Sequence, residues 1–328
     1  MNSTLSHYYG VVKKLSSLAG QWPYQKPKTK LICLSIVTLS TLSIIVPQIA
    51  KFIECDGDLQ CIFQTMAGNM MAIIALVKLY TCYLNQYKMK VLIDRLFIEW
   101  DELVTPEECE IMKRYAETSR RYSLRYSLSC FTSAFLFLCI SFIPPVLDIV
   151  LPLNESRPLL PVHPGYYFVD EREYFSYIFL HALVAWEIAV IGIVAHDCML
   201  LTYIEHVCSI FALVAFRFEQ LMYTNNIMKI LHSHTRSNTH CKGIVFSVYT
   251  HRRALKFAQL IDDTFSLTLG IQIILNTALI SMTLLQVRVY LIFQLSIRVW
   301  FFTQLESNII ITYILSHFKI AQKHICDK

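Results

Sequence analysis

The run LICLSIVTLSTLSIIVPQIA, residues 31–50, carries no charge over about 20 residues, the length a helix needs to cross a hydrocarbon core of about 30 Å. Its proline, Pro47, stands near the end, where a bilayer helix tolerates a kink. Four further runs of similar character, residues 62–84, 127–151, 264–287 and 290–316, repeat the pattern with polar segments between them. A sixth, residues 176–203, is longer than a bilayer requires, which a tilted helix protruding into the cytoplasm explains. Composition agrees: 55% of the 328 residues are hydrophobic and 16% charged, and the mean hydropathy is +0.46. The expected fold is all-α, a polytopic membrane helical bundle of about six transmembrane helices with long cytoplasmic helix extensions. It divides into an N-terminal segment 1–30, a transmembrane domain 31–316 and a tail 317–328.

Charge sets the orientation. Residues 1–30 hold Lys13, Lys14, Lys26, Lys28 and Lys30 and no acidic residue, which places the N-terminus in the cytoplasm. Six crossings then put loops 51–61 and 152–175 outside, where basic residues are few. The inside loops hold many more, including Lys88, Arg95, Arg120 and Arg121 in one and Arg217, Lys229 and Arg253 in the other. The sequon Asn154-Glu155-Ser156 falls on the outer side, the only side where glycosylation of Asn154 is feasible. No cleavable signal peptide precedes the first span, whose apolar core is too long for one.

The net charge of +5 comes without a dense basic stripe interleaved with aromatics, so nucleic acid is not an expected partner; membrane lipid is. Eleven cysteines lack C-x-x-C or Cys/His ligand spacing, so neither a metal site nor a cofactor is expected. Cys55 and Cys61 share one short outer loop, where a disulfide and two unpaired thiols are both compatible with the spacing. His232, His234 and His240 in the polar SHTRSNTH region read as a solvated loop, since no carboxylate accompanies them. No nucleophile and base, P-loop or H-E-x-x-H spacing occurs, so the chain is not expected to be an enzyme.

Ionisable residues inside the spans are Glu187, Asp197, Arg298 and Glu306, with Asp148 at an outer end. Lys78 reads as a lysine near a cytoplasmic helix end, facing lipid and extending to the headgroups. A pocket for a small apolar ligand is best sought in the outer halves of spans two to four. There Met66 and Met70 share a face at i,i+4; Phe135, Cys139 and Phe142 line another; Tyr177, His181 and Val184 begin the fourth span. Methionine adapts to ligands of different shape.

Several stretches resemble the insect odorant receptor family. LPLNESRPLLPVHPGYYF, residues 151–168, is similar to its proline- and aromatic-rich second outer loop. Asp197 and His206 in HDCMLLTYIEHVCSIFALVAFRFEQL resemble its aspartate and histidine on the fourth helix. His251, Leu255, Ala258, Ile261, Phe265 and Gln272 resemble its approach to the fifth span. The resemblance covers about residues 10–310, and a family member usually continues through a seventh helix that lines an ion pore, which does not follow Ser316 here. The resemblance implies a subunit that binds a small volatile organic ligand and gates a cation channel as a tetramer with the odorant co-receptor, in the plasma membrane of a sensory neuron dendrite. With the pore helix missing, ligand recognition is expected to persist and conduction by this subunit to be impaired. The nearest rival is a gustatory receptor of the same superfamily; a secondary transporter and a G-protein-coupled receptor fit less well, the latter because its N-terminus lies outside.

Overall fold

The computed structural model describes residues 3–151, 165–230 and 237–286, and among them every regular element is helical. The order is α1 (Ser3–Leu18), α2 (Pro27–Glu54), α3 (Leu59–Leu84), α4 (Gln86–Asp101), α5 (Pro106–Cys139), a 3₁₀ turn (Ile140–Phe142), α6 (Ile143–Val150), α7 (Phe175–Ile230) and α8 (Ser237–Gln286). Five of these helical segments are long and apolar enough to cross a membrane: 27–54, 61–84, 106–142, 175–223 and 243–282. The run at 290–316, with Arg298 and Glu306, lies outside the described residues, as do the Asn154 sequon and most of the histidine-rich stretch.

Local chemistry places the breaks. Pro27 and Pro106 stand in the first turns of α2 and α5, where a missing N–H costs no hydrogen bond. Thr105 and Glu108 form a reciprocal capping box at the start of α5: the Glu108 N–H donates to Thr105 Oγ1 at 3.2 Å, and the Glu108 carboxylate accepts from the Thr105 N–H. At its other end, α5 passes through one 3₁₀ turn into α6 next to Pro144-Pro145, which leave no N–H to continue the ladder.

The turn between α1 and α2 requires Gly20, whose φ is +69°. A Cβ there would lie 2.7 Å from the Lys30 carbonyl oxygen and 2.8 Å from the Leu34 nitrogen, both main-chain atoms that cannot swing aside. Gly20→Ala is therefore expected to cost at least about 1–2 kcal/mol from the left-handed backbone alone. The check is a lower melting midpoint in detergent; Gly10→Ala, at a glycine with open space around it, serves as the control and should not melt lower.

α7 is the central pillar, in contact with α1, α2, α3, α5 and α8. From Gly192 to Phe211 every residue is buried, so this stretch is enclosed on all sides instead of presenting one apolar face. α1 is amphipathic and docks through Tyr9 and Val12. Tyr8 stacks on Trp100 of α4 at 6.1 Å, and the Trp100 indole N–H donates to the Tyr9 hydroxyl at 3.0 Å. Burial pushes the Tyr9 phenol above its ordinary range.

Candidate functional site

In the half of the bundle away from α1, an apolar cluster draws on five helices. Ile44 of α2, Met71 and Ile74 of α3, Leu138 of α5, Trp186 of α7 and Leu279 of α8 are buried together. Met70, Phe137, Phe179, Leu183 and Leu275 pack against them. Phe142 closes this group from above α5, with its ring centre 4.2 Å from Phe179 and 5.6 Å from Phe175. Among the described residues, Asn276 Nδ2 and Glu187 Oε1 are buried atoms without a hydrogen-bond partner, one residue in sequence from Leu275 and Trp186 of the cluster. A mostly apolar lining with a few polar groups is what a small organic ligand requires.

The segment before α7 folds back over α2. The Tyr166 N–H donates to the Pro47 carbonyl at 2.8 Å, and Gly165 packs against the Pro47 ring. His181 bridges the two elements: its Nδ1 lies 3.3 Å from the Tyr167 hydroxyl and its Nε2 3.0 Å from Ser43 Oγ. Burial pushes the Tyr167 phenol up to about 12, so it stays protonated and available as a donor.

The residues singled out from sequence are distributed unevenly around this cluster. Met70 and Phe142 contact it, His181 sits in the bridge, and Met66 and Cys139 are half-buried. Phe135, Tyr177 and Val184 turn outward, with Tyr177 73% exposed. On α7 the inward row is Phe179, Leu183 and Trp186. That row is offset by two residues, a rotation of about 200°, from Tyr177, His181 and Val184. Both rows show i,i+4,i+7 spacing in an almost uniformly apolar helix, so spacing alone does not choose between them. Cys55 and Cys61 are joined as a disulfide at the α2–α3 turn.

Below the cluster lies a charged group that corrects the reading of Lys78 as a lipid-facing lysine. Lys78 is fully buried, and its ammonium donates to both carboxylate oxygens of Asp197, at 2.8 and 2.7 Å. The Tyr126 hydroxyl donates to Asp197 Oδ2 at 2.7 Å, and His196 Nδ1 lies 2.9 Å from Oδ1. Asp197 thus ties α3, α5 and α7 at one point. The physical reason is cost: an ammonium inside a bundle must be paired, and the partner lies on a helix 119 residues away.

A second set of charges joins the α5, α7 and α8 ends on the α1 side. Arg217 donates to Glu108 Oε1 at 2.6 Å and to Thr250 Oγ1 at 3.2 Å, while its guanidinium lies 4.6 Å from the Phe246 ring centre. Arg253 pairs with Glu99 at 2.8 Å and with Glu102. Burial pushes the Glu99 carboxyl up, against the pull of Arg253. A small apolar void of about 20 Å³ between α1, α4 and α7, lined by Tyr9, Trp22 and Tyr203 among others, is too small for an organic ligand.

Comparison with known proteins follows the same lines. A family model described as the 7tm odorant receptor matches residues 60–318. The solved structure of the insect olfactory receptor OR5 from Machilis hrabei superimposes with a TM-score of 0.72 at 10% identity, covering 98% of this chain and 82% of that one. A search of curated proteins gives no match.

Proposed function

We propose, from the premise that the chain belongs to the seven-transmembrane odorant receptor family, that it binds small volatile apolar molecules among the outer halves of α3, α5, α7 and α8. The observation that carries this reading is the five-helix apolar cluster, with Asn276 and Glu187 next in sequence to its members and the Tyr167–His181–Ser43 bridge joining α7 to α2 beside Ile44 in sequence. The ligand opens a cation channel formed with the odorant co-receptor as a tetramer, by binding the open arrangement better than the closed one. The subunit sits in the plasma membrane of a sensory dendrite with its N-terminus in the cytoplasm, as the five lysines and no acidic residue of residues 1–30 favour.

The test is volatile binding to the detergent-solubilised chain, read as displacement of a fluorescent apolar probe, so that recognition is measured apart from conduction. Phe179→Ala should raise the half-maximal concentration of an active volatile about tenfold, the loss expected for one buried aromatic contact. Tyr177→Ala, on the outward row, should leave it unchanged. No displacement across a broad volatile panel, or equal effects of both variants, would overturn the reading. Glycosylation mapping tests the topology separately: modification at Asn2 and not at Asn154 would reverse it.

A further inference from the structure

On the side of the bundle nearest α1, the first turn of α2 faces the corner where α3 passes into α4. Lys26 and Lys28 are exposed on the α2 side, and α2 has no acidic residue in its first turn. No side chain caps the helix, and with Pro27 lacking an N–H and the Lys30 N–H bonded to the Lys26 carbonyl, the Lys28 and Thr29 N–H groups lie at the uncapped positive end of a 28-residue helix. On the α4 side, Lys90 lies 5.5 Å from the ring centre of Tyr24, which precedes α2. The nearby carboxylate of Asp94 is taken by the Tyr24 hydroxyl.

Lys30 is the independent observation. It is 4% exposed, and its ammonium has no hydrogen-bond partner among the described residues. It lies 5.8 Å from the ring centre of Tyr83, a residue itself 39% exposed. Side chains on a helix lean toward its N-terminus, which carries the Lys30 chain back toward Lys26. Lys78, also buried, has Asp197; Lys30 has no carboxylate partner among the described residues. A buried ammonium with all three donors unused costs several kcal/mol unless an acceptor reaches it.

Tyrosines and lysines gathered at one level mark the headgroup region of a bilayer. The anion present there at high density, with several acceptor oxygens, is a lipid phosphate. We infer that this lysine-bearing surface at the start of α2 binds the phosphate-bearing headgroup of an anionic phospholipid, with Lys30 donating from below, Lys26 and Lys28 from the sides, and the α2 N-terminus adding main-chain N–H groups. The site is separate from the outer cluster and does not depend on the odorant reading.

Native mass spectrometry of the full chain, released from phosphatidylcholine nanodiscs containing phosphatidylserine or phosphatidylinositol 4,5-bisphosphate, tests this. The anionic lipid should be retained in preference to phosphatidylcholine. Lys30→Met should weaken retention about tenfold, the loss of one charge-assisted hydrogen bond. The exposed pair Lys26→Gln/Lys28→Gln, which cannot disturb packing, should do about the same. Lys113→Gln removes a charge from the exposed face of α5 and should leave retention unchanged. Equal retention of all lipids, equal loss in Lys113→Gln, or full competition by inorganic phosphate in solution would overturn the inference.

Discussion

Asp197→Asn should lower the melting midpoint of the detergent-solubilised protein by about 10 °C and reduce its delivery to the cell surface. The asparagine keeps the shape but removes the charge, leaving the Lys78 ammonium enclosed with no counter-ion, and it weakens what Tyr126 and His196 hold on to. Removing one partner of a buried pair costs about 3–5 kcal/mol, because the other charge stays behind. At about 2–4 °C per kcal/mol, that gives the shift named. The double variant Lys78→Met/Asp197→Asn discriminates charge from contact. With both charges gone, most of the lost stability should return, since well-packed apolar replacements of a buried pair are often neutral. If the double variant melts no higher than Asp197→Asn alone, the group acts through shape and not through charge, and the account of Lys78 fails.

Arg217→Met should loosen the junction of α5, α7 and α8 while leaving the outer cluster intact. One guanidinium there makes three different contacts, to Glu108, Thr250 and Phe246. Arg217→Lys should recover less than half of the loss, because a single ammonium cannot bridge Glu108 and Thr250 while lying flat on an aromatic ring. The cost in the methionine variant is about 3 kcal/mol, dominated by the stranded Glu108, which retains its bonds from Val104 and Thr105 N–H. Hydrogen–deuterium exchange should rise in residues 106–116 and 243–254 and stay unchanged in residues 66–74. Unchanged exchange at the start of α5 would show that Arg217 is not what holds these helices together.

The contrast between what was readable and what was not follows from the range of the signals. Residues 31–50 declare a span because hydropathy is a local, additive quantity, and α2 contains them whole. Asp197 could be flagged as an intramembrane charge for the same reason. Its partner could not, because Lys78 reads as a basic residue near a helix end until α3 is laid against α7. α1 carries Tyr9, Val12 and Leu15 at helical spacing, a signal available but outweighed by the lysines around it. On α7 the difficulty was different: from Phe175 to Val190 nearly every residue is apolar whether it turns inward or outward, so the chain has no polar stripe from which to take a bearing. Helix rotation in the candidate ligand site was therefore undetermined by pattern, which is why Phe179, Leu183 and Trp186 line the cluster in place of Tyr177 and Val184.

The length of α7 has a mechanical meaning. Fifty-six residues make a continuous rod of about 84 Å, far longer than the hydrocarbon layer of about 30 Å. Asp197, the knot to α3 and α5, stands about 33 Å from the Phe175 end and about 50 Å from the Ile230 end. A rod held at that knot is a lever with unequal arms. A small displacement imposed at Phe179, about 27 Å from the knot, would reach the far tip nearly doubled and with reversed direction, without a single hydrogen bond of the helix being broken.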